Sequence, residues 1–301
     1  MMHKNLKLWL ILAAVLIVIG LILIVIPMSI YKWDFSRLNA VPFETNTHTP
    51  QASFHSITLN TDTADISILP SPDNTCKVVC HEPEDLKHTV EVLDGILTIQ
   101  EVDTQKWHTF LGLSFGSSKI TLYLPNEAYT NLTIRESTGD IQIEKDLTFA
   151  GMDIQTSTGD VETYASASGV MKIKTSTGSI SIETVSAAVL DLAVSTGKIT
   201  VTDTTCENLT STGDTGDITL KNVIAAESIQ IERSTGDITF DSADAADILV
   251  KTDTGDVTGM LLTEKVFDVE TDTGSVNIPK SGNGGNCVIH TDTGDIELTV
   301  G

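Results

Sequence analysis

The amino-acid sequence predicts an all-β protein: a parallel β-solenoid (β-helix) of about nine coils of 19–20 residues, with an irregular β cap at its N-terminal end and one transmembrane helix before the cap. Three observations support this prediction. From residue 138 onward, nine Thr-Gly pairs follow one another at a spacing of 19 or 20 residues. The residues on both sides of each pair alternate between apolar and polar. The N-terminus contains 21 consecutive residues without a charge, from Leu8 to Met28.

The uncharged segment predicts how the chain is placed relative to the membrane. A helix of about 20 apolar residues crosses the roughly 30 Å of hydrocarbon in a bilayer. The segment is longer than the apolar region of a cleaved signal peptide, and no small-x-small cleavage site follows it. Lys4 and Lys7 precede it, and Tyr31 and Trp33 follow it where interfacial aromatic residues concentrate. We therefore predict a single-pass cell-membrane protein that is anchored by residues 8–30 and lies mostly outside the cytoplasm.

The remaining domain boundaries follow from composition. Residues 1–7 form a short cytoplasmic tail in this topology, and residues 31–52, with Pro42, are typical of a linker. Residues 53–130 lack the repeat but show strand-like alternation. Because the end of a solenoid needs a cover, this region predicts an N-terminal β cap. The repeat domain is predicted over 131–301.

Each repeat is organised around one glycine. A fixed period of 19 or 20 residues indicates a solenoid. The residue two after each glycine is Ile or Val, and the residues five and seven before it are apolar in every repeat except at Ser211. Such a period of two on both sides of a Thr-Gly corner places the apolar side chains in one interior, and glycine supplies the corner conformation. The predicted corner glycines are Gly139, Gly159, Gly178, Gly197, Gly216, Gly236, Gly255, Gly274 and Gly294.

The repeat also predicts how the coils stack. Successive coils lie about 4.8 Å apart with their strands paired in parallel, and return segments rich in Ala and Ser suit a narrow third side. In the string "STGDTGD" at 211–217 we keep Gly216 as the corner rather than Gly213, because Gly213 breaks the spacing. The chain stops directly after the last predicted strand, so we expect an uncovered C-terminal coil that docks on a partner or on a second copy of the chain.

The net charge of −23 restricts the classes of partner. Residues 131–301 contain 28 acidic and 10 basic residues, and isolated basic residues such as Lys198 and Arg233 are expected to be solvated. An acidic body repels nucleic acid and attracts metal cations or basic proteins. The prediction is therefore no nucleic acid, and cationic peptides or envelope proteins as partners. The alternative, that the acids only keep the domain soluble, stays open.

The four cysteines predict neither a disulfide framework nor a zinc site. Cys76 and Cys80 lie about 13 Å apart if "CKVVC" is a strand, which is too far for a disulfide. Only His81 stands close to them as a further zinc ligand. Cys287 occupies a core position of the repeat, which predicts a small buried hydrophobic residue.

Three segments together resemble the bacterial "putative adhesin" β-strand-repeat family, a domain of unknown function on envelope proteins. They are the opening "TDTADISILP", the junction "ITLYLPNEAYTNLTIREST" and the "STGDI" ladder from Ser137 onward. The resemblance covers roughly residues 50–301. It implies a β-helix-like extracytoplasmic domain and, for some members, surface attachment or envelope stress. The family carries no established catalytic residues.

The tetrapeptide Asp-Thr-Gly-Asp at 253–256 and 292–295 contains the signature tripeptide of aspartic proteases. That chemistry needs two carboxylates that share a proton in one cleft. Other repeats have serine at the aspartate position, as at Ser137 and Ser234, so the position is typical of a turn in which either side chain hydrogen-bonds the backbone. The sequence therefore predicts no protease.

Acids concentrate at the corner in the last repeats: Asp253, Asp256, Asp272, Asp292 and Asp295. Carboxylates stacked under 5 Å apart repel each other by about 1 kcal/mol even in water, and calcium favours such oxygen clusters. The nine-residue Gly-Asp repeat of calcium-binding β-rolls is absent from the sequence. Two interpretations stay open, a calcium site at these five residues or a solvated acidic edge, and no other cofactor is predicted.

The most hydrophobic stretch of the predicted cap is "QKWHTFLGLSF" at 105–115, with Trp107, Phe110 and Phe115. It predicts either a core or capping segment or a surface that contacts a partner or the membrane.

Taken together, the sequence predicts a non-enzymatic extracytoplasmic module for binding, adhesion or envelope-stress sensing. Two alternatives stay open: a polysaccharide-active enzyme on the same fold and a structural spacer on the cell surface.

Overall fold

The computed structural model describes residues 2–30, 42–103 and 117–301. Helix α1 (Met2–Ile30) covers the uncharged N-terminal segment. Within these described ranges, no helix is long and apolar enough to cross a membrane. The anchor predicted over 8–30 is therefore unsupported by the structure and stays a prediction from the sequence.

The rest of the described chain is a single hydrogen-bonded system of strands. Six strands precede the repeats: β1 (Phe43–His48), β2 (Ser56–Pro70), β3 (Lys77–Pro83), β4 (Leu86–Leu93), β5 (Ile96–Asp103) and β6 (Ser118–Leu124). The repeats begin with β7 (Ala128–Thr138), β8 (Ile141–Ile143), β9 (Thr148–Thr158), β10 (Val161–Thr163), β11 (Ser166–Ala167), β12 (Val170–Thr177), β13 (Ile180–Glu183) and β14 (Ser186–Thr196). They continue with β15 (Ile199–Thr215), β16 (Ile218–Thr235), β17 (Ile238–Thr254), β18 (Val257–Leu261), β19 (Lys265–Thr273), β20 (Val276–Asn277), β21 (Gly285–Thr293) and β22 (Ile296–Val300).

The predicted parallel β-solenoid is confirmed, and the nine corner glycines span about eight turns of it. All nine have φ between +128° and +156°, where side chains with a Cβ are strained. A Cβ on Gly159 would also lie 1.9 Å from the carbonyl oxygen of Gly139 in the neighbouring coil. Within 211–217, Gly216 adopts this conformation and Gly213 does not.

The core is a column of side chains that point inward from the strands on both sides of each corner. The Ile or Val two residues after the glycine is 0–1% exposed in eight of the nine repeats, and Cys287 is fully buried as predicted. The exception is Val276, which is 45% exposed. Its exposure identifies the coil of Gly274 as the end of the stack.

A second corner lies six residues after several of the glycines. Thr184, Asp203, Asn222 and Ser242 have φ between +48° and +61° there, a region in which short polar residues are enriched. The Nδ2 of Asn222 donates a hydrogen bond to Asp203 Oδ1 at 2.8 Å. This corner was missing from the sequence prediction, because four different residue types fill it. The narrow third side beyond it is confirmed by a buried row of paired small residues: Ala187, Cys206, Ala225 and Ala245.

The N-terminal head continues the solenoid and then covers it. Strand β2 pairs in parallel with β5 and β6 on one side and with β7 and β8 on the other. The region predicted as an irregular cap thus supplies coil strands as well. Strands β3, β1 and β4 add antiparallel pairs outside them. Strand β1 lies within the segment predicted as a linker, so the folded domain begins by Phe43.

The C-terminal end departs from the order of the sequence. Strand β21 pairs with β17 on one side and β19 on the other, and β22 lies in the same way between β18 and β20. The last coil of the sequence is therefore inserted before the coil that precedes it. The expected uncovered C-terminal coil is wrong, because β19 and β20 form the distal end and the inserted coil has a hydrogen-bonded neighbour on both sides.

Candidate functional site

The aspartates that follow the corner glycines form a hydrogen-bonded ladder. Asp140 Oδ1 accepts the backbone N–H of Asp160 at 2.9 Å, and Asp237 accepts that of Asp256 at the same distance. Across the inserted coil, Asp256 Oδ1 accepts the N–H of Asp295 at 2.8 Å. These carboxylates cap amides of the neighbouring coil, which explains why Gly-Asp recurs in the sequence. The recurrence was visible there, but its partner in the next coil was not.

A groove of about 440 Å³ crosses five coils on the face just before the corners. It forms because the side chains in two adjacent coils are short, at Ala193 and at Thr212 and Gly213, while Lys174 and Lys251 stand in the outer coils. With about 4.8 Å between coils, the groove extends over roughly 19 Å. Its other lining residues are Val194, Ser195, Asp214, Glu232, Arg233, Ser234 and Asp253.

Arg233 is a buried cation in the wall of this groove. It occupies the inward position three residues before a corner glycine, where Thr175, Thr252 and Thr291 stand in other coils, and it is 1% exposed. Its guanidinium occupies the space left by Gly213, where a Cβ would lie 1.8 Å from Nη1. The expectation of a solvated Arg233 is therefore wrong, because a glycine in the adjacent coil admits the side chain.

The hydrogen bonds of Arg233 leave part of its donor capacity unused. Nη1 donates to the carbonyl of Val194 at 3.0 Å, and Nη2 donates to Ser211 Oγ at 3.4 Å. Nε is buried and has no partner within the described part of the chain. Burial lowers the pKa of Arg233, and the carboxylate of Asp214 opposes that shift.

The charged side chains that line the groove sum to zero, whereas the domain around the groove is strongly acidic. Three cations line it, Lys174, Arg233 and Lys251, and three carboxylates stand among them. The hydroxyls of Ser195, Thr212 and Ser234 complete a lining in which donors and acceptors alternate. Such a surface can bind a polar ligand that carries hydroxyl and carboxylate groups.

The family model of Toastrack DUF4097 matches residues 54–299, which is most of the chain and includes the whole groove. The chain belongs to the Toastrack DUF4097 family. The predicted resemblance to the "putative adhesin" β-strand-repeat family, a domain of unknown function, is thereby confirmed. No curated protein matches this Toastrack chain.

Three solved structures are similar to this chain, and the first of them shares its fold. A putative adhesin from Bacteroides fragilis NCTC 9343 has a TM-score of 0.52 at 16% identity, with 87% of this Toastrack chain and 99% of that chain covered. A putative adhesin from Parabacteroides distasonis ATCC 8503 has a TM-score of 0.48 at 10% identity, with 87% and 98% covered. A putative lipid binding protein from the same organism has a TM-score of 0.44 at 14% identity, also with 87% and 98% covered.

The acidic edge of this Toastrack domain is assembled by the inserted coil. The order in space is Asp253, then Asp292, then Asp272, and all three are exposed. Asp256 and Asp295 are both acceptors in the amide ladder, and the hydrogen bonds from Ser275 lower the pKa of Asp295. Among the described residues, no three of these five acids bring ligand atoms within 4.8 Å of one another. The calcium site stays a prediction.

One group of three metal-ligating side chains does occur in the described ranges, and it lies in the N-terminal head. It consists of Cys80, Glu82 and His88, all buried. Sequence reasoning missed it because only His81 was considered beside the cysteines. The predicted hydrophobic surface at Trp107, Phe110 and Phe115 lies outside the described residues.

Proposed function

We propose that this Toastrack protein is a non-enzymatic binding module of the cell envelope, which binds a carboxylate-bearing saccharide in the groove around Arg233. The observation that carries the proposal is the buried guanidinium at the wall of an open groove. Its two hydrogen bonds engage two of five N–H donors. Buried donors rarely stay unpaired in native structures, so a ligand carboxylate that pairs with this cation would relieve the deficit.

The rest of the groove fits the remainder of such a ligand. Saccharide hydroxyls both donate and accept hydrogen bonds, and the lining alternates hydroxyls, carboxylates and ammonium groups. Lys174 stands one coil before Ala193 and Lys251 stands two coils after Thr212, where each ammonium group can pair with a further carboxylate of the ligand. The strands that carry the groove pair without a register shift from Leu209 to Gly213 and from Ile229 to Arg233, so the site is preorganised.

Other observations support the proposed location in the cell envelope and the proposed absence of catalysis. The uncharged N-terminal segment has the length of a membrane anchor, and the described side chains of α1, such as Trp9 and Ile17, are exposed. The three similar structures carry the names adhesin and lipid binding protein, and none of these names describes an enzyme. Protease treatment of intact cells tests the topology, because the domain must be removed from the outside.

The binding proposal is tested by calorimetry on the full chain purified in detergent. We expect saturable binding of oligomers of galacturonic acid and at least tenfold weaker binding of the neutral galactose oligomers. Ala193→Gln fills the groove in the row where Lys174 and Thr212 stand, so it should fold normally and abolish binding. Ala188→Gln, on the third side, is the matched control. Equal binding of charged and neutral oligomers, or an unaffected Ala193→Gln variant, contradicts the proposal.

A second candidate is favoured by the acids on successive coils. Asp253, Asp292 and Asp272 present an exposed row that fits a cationic peptide or a basic envelope protein. In the same calorimeter, an oligolysine peptide should then bind saturably to the full chain. Replacing the three aspartates by asparagine should remove that binding, while Ala193→Gln should leave it unchanged. If salt-insensitive binding or no binding is found, this candidate fails.

A further inference from the structure

The hairpin of β3 and β4 brings three different metal-binding groups together in the N-terminal head. Cys80 and Glu82 are two residues apart on β3, so both point to the same face of the strand. His88 approaches them from β4 after the turn at 84–85. The thiol, one carboxylate oxygen and one ring nitrogen all lie within 4.8 Å of one another. The three residues are 0%, 1% and 4% exposed.

We propose that Cys80, Glu82 and His88 bind a divalent transition-metal ion, with Zn²⁺ as the preferred ion. A thiolate, an imidazole and a carboxylate form a donor set of borderline softness that suits Zn²⁺, and would exclude calcium and magnesium, which take oxygen ligands. Three protein ligands leave the fourth tetrahedral position to a water or a small ligand.

The surrounding side chains form the outer shell that such a site needs. The Nε2 of His88 lies 3.1 Å from Thr61 Oγ1 and 3.8 Å from Glu101 Oε2, so its proton has an acceptor while Nδ1 faces the cluster. Asn46 Nδ2 donates to Glu82 Oε1 at 2.7 Å, while Oε2 faces the cluster and also accepts the backbone N–H of His88 at 2.8 Å. Metal-bound histidines almost always donate their second ring N–H to such a partner.

The charges of the three groups suit a divalent cation. Nδ1 of His88 lies 2.7 Å from Oε2 of Glu82, so the ring and the carboxylate already converge on one point. In a metal-bound form the Cys80 thiolate and the Glu82 carboxylate would supply two negative charges, which balance the two positive charges of the ion. Such a balance matters here because buried charges in proteins are paired or coordinate metals.

The test is a Co²⁺ titration of the full chain, purified in detergent without a polyhistidine tag and stripped of metal with a chelator. We expect one Co²⁺ per chain, a thiolate-to-cobalt charge-transfer band in the near ultraviolet, and displacement of Co²⁺ by Zn²⁺. X-ray absorption of the zinc form should show one sulfur at about 2.3 Å and lighter ligands at about 2.0–2.2 Å. Cys80→Ser should remove the charge-transfer band, and Glu101→Gln should weaken binding about 10–100-fold.

Matched controls separate this site from adventitious binding. Cys76→Ser removes another buried thiol of the head, and His81→Gln removes a neighbouring histidine on the opposite face of β3. Both should bind Co²⁺ as the unmodified chain does, and circular dichroism confirms that each variant is folded. The proposal is overturned if the unmodified chain shows no thiolate band or if Cys76→Ser abolishes it. It is also overturned if folded Cys80→Ser binds Zn²⁺ unchanged.

Discussion

The two ends of the solenoid use the same topological device and differ in what covers it. At the N-terminal end, β2 lies between the coil of β5 and β6 and the coil of β7 and β8. At the distal end, β21 and β22 lie between β17 and β18 and the outermost β19 and β20. In each case the first or the last coil in sequence order has a neighbouring coil on both sides in space. A terminal repeat that is bound on both sides frays less readily than one bound on a single side.

The difference lies in the outer layer. The N-terminal head adds the antiparallel strands β1, β3 and β4, and its core residues Val78 and Cys80 are fully buried. At the distal end Val276 is 45% exposed, and a loop folds back through bonds from Phe267 N–H to Ser281 Oγ and from Gly282 N–H to Lys265 O. Inserting the last coil therefore completes one end of a solenoid with far fewer residues than a separate cap of antiparallel strands.

The largest expected effect is obtained by removing the inserted coil. Deletion of residues 285–301 leaves β19 and β20 without their pairing strand and exposes the edges of β17 and β18. We expect rapid hydrogen exchange throughout β17–β20 and aggregation through the open edge. Deletion of Gly301 alone is the control. Unchanged protection of β19 in the longer deletion would show that the distal coil docks without the insertion.

The second-largest effect is expected from breaking the buried ion pair at the distal end. Lys265 is 2% exposed; it is ion-paired with Asp244, and its Nζ donates to the carbonyl of Ala245 at 2.7 Å. Lys265→Met leaves a buried carboxylate without its partner, which typically costs about 3–5 kcal/mol in the free energy of unfolding. The exposed Lys280→Met should change it by less than about 0.5 kcal/mol. Urea unfolding measures both, and equal effects would contradict a structural role for the pair.

The N-terminal end contains a buried acid that should make its stability depend on pH. Burial raises the pKa of Glu136 to about 8, helped by Asp65, while the N–H of Ala64 opposes the shift. Because the folded state holds this proton more tightly, the contribution of Glu136 is complete below pH 4.5 and is lost as the pH rises through 8. The loss should be on the order of 2–4 kcal/mol.

Urea unfolding between pH 5 and 9 measures this dependence. Glu136→Gln should remove most of the decline and stabilise the chain at pH 9. The exposed Glu127→Gln should keep the decline of the unmodified chain. A parallel pH profile for Glu136→Gln would mean that another group is responsible.

The smallest expected effect is a change in hydrogen exchange at the two ends of the aspartate ladder. Asp295 Oδ1 accepts both the N–H and the hydroxyl of Ser275, at 2.7 and 2.9 Å, whereas Asp65 makes longer bonds, from the N–H of Asp140 at 3.2 Å and from the hydroxyl of Ser117 at 3.4 Å. Asp295→Ala should therefore speed hydrogen exchange at Ser275 more than Asp65→Ala speeds it at Asp140. Since the pKa of Asp295 is lowered, its protection should be lost as the pH falls through that lowered pKa. Equal exchange in both variants would contradict the difference between the two ends.

The local sequence pattern was enough to predict the coil. It was not enough to predict which side chains occupy the space beside each corner. Thr-Gly spacing and period-two alternation identified every corner glycine and the buried row that includes Ile218 and Cys287. Nothing local indicates that Gly213 admits the side chain of Arg233, because the two residues meet only when neighbouring coils stack. The cluster of Cys80, Glu82 and His88 was missed for a similar reason, since the hairpin turn that joins them determines which side chains face one another.

The sequence by itself determined the solenoid, its corners, its inward face and its acidic composition, because these follow from the covalent order within one coil. Only the tertiary structure decided the order of the coils, the closure of both ends and the position of the groove. The physical reason is that the repeats are nearly equivalent: each offers the same parallel edge and the same glycine corner to any other. Which coil is the neighbour of which is then decided by how the connecting segments close and by how completely the ends are covered.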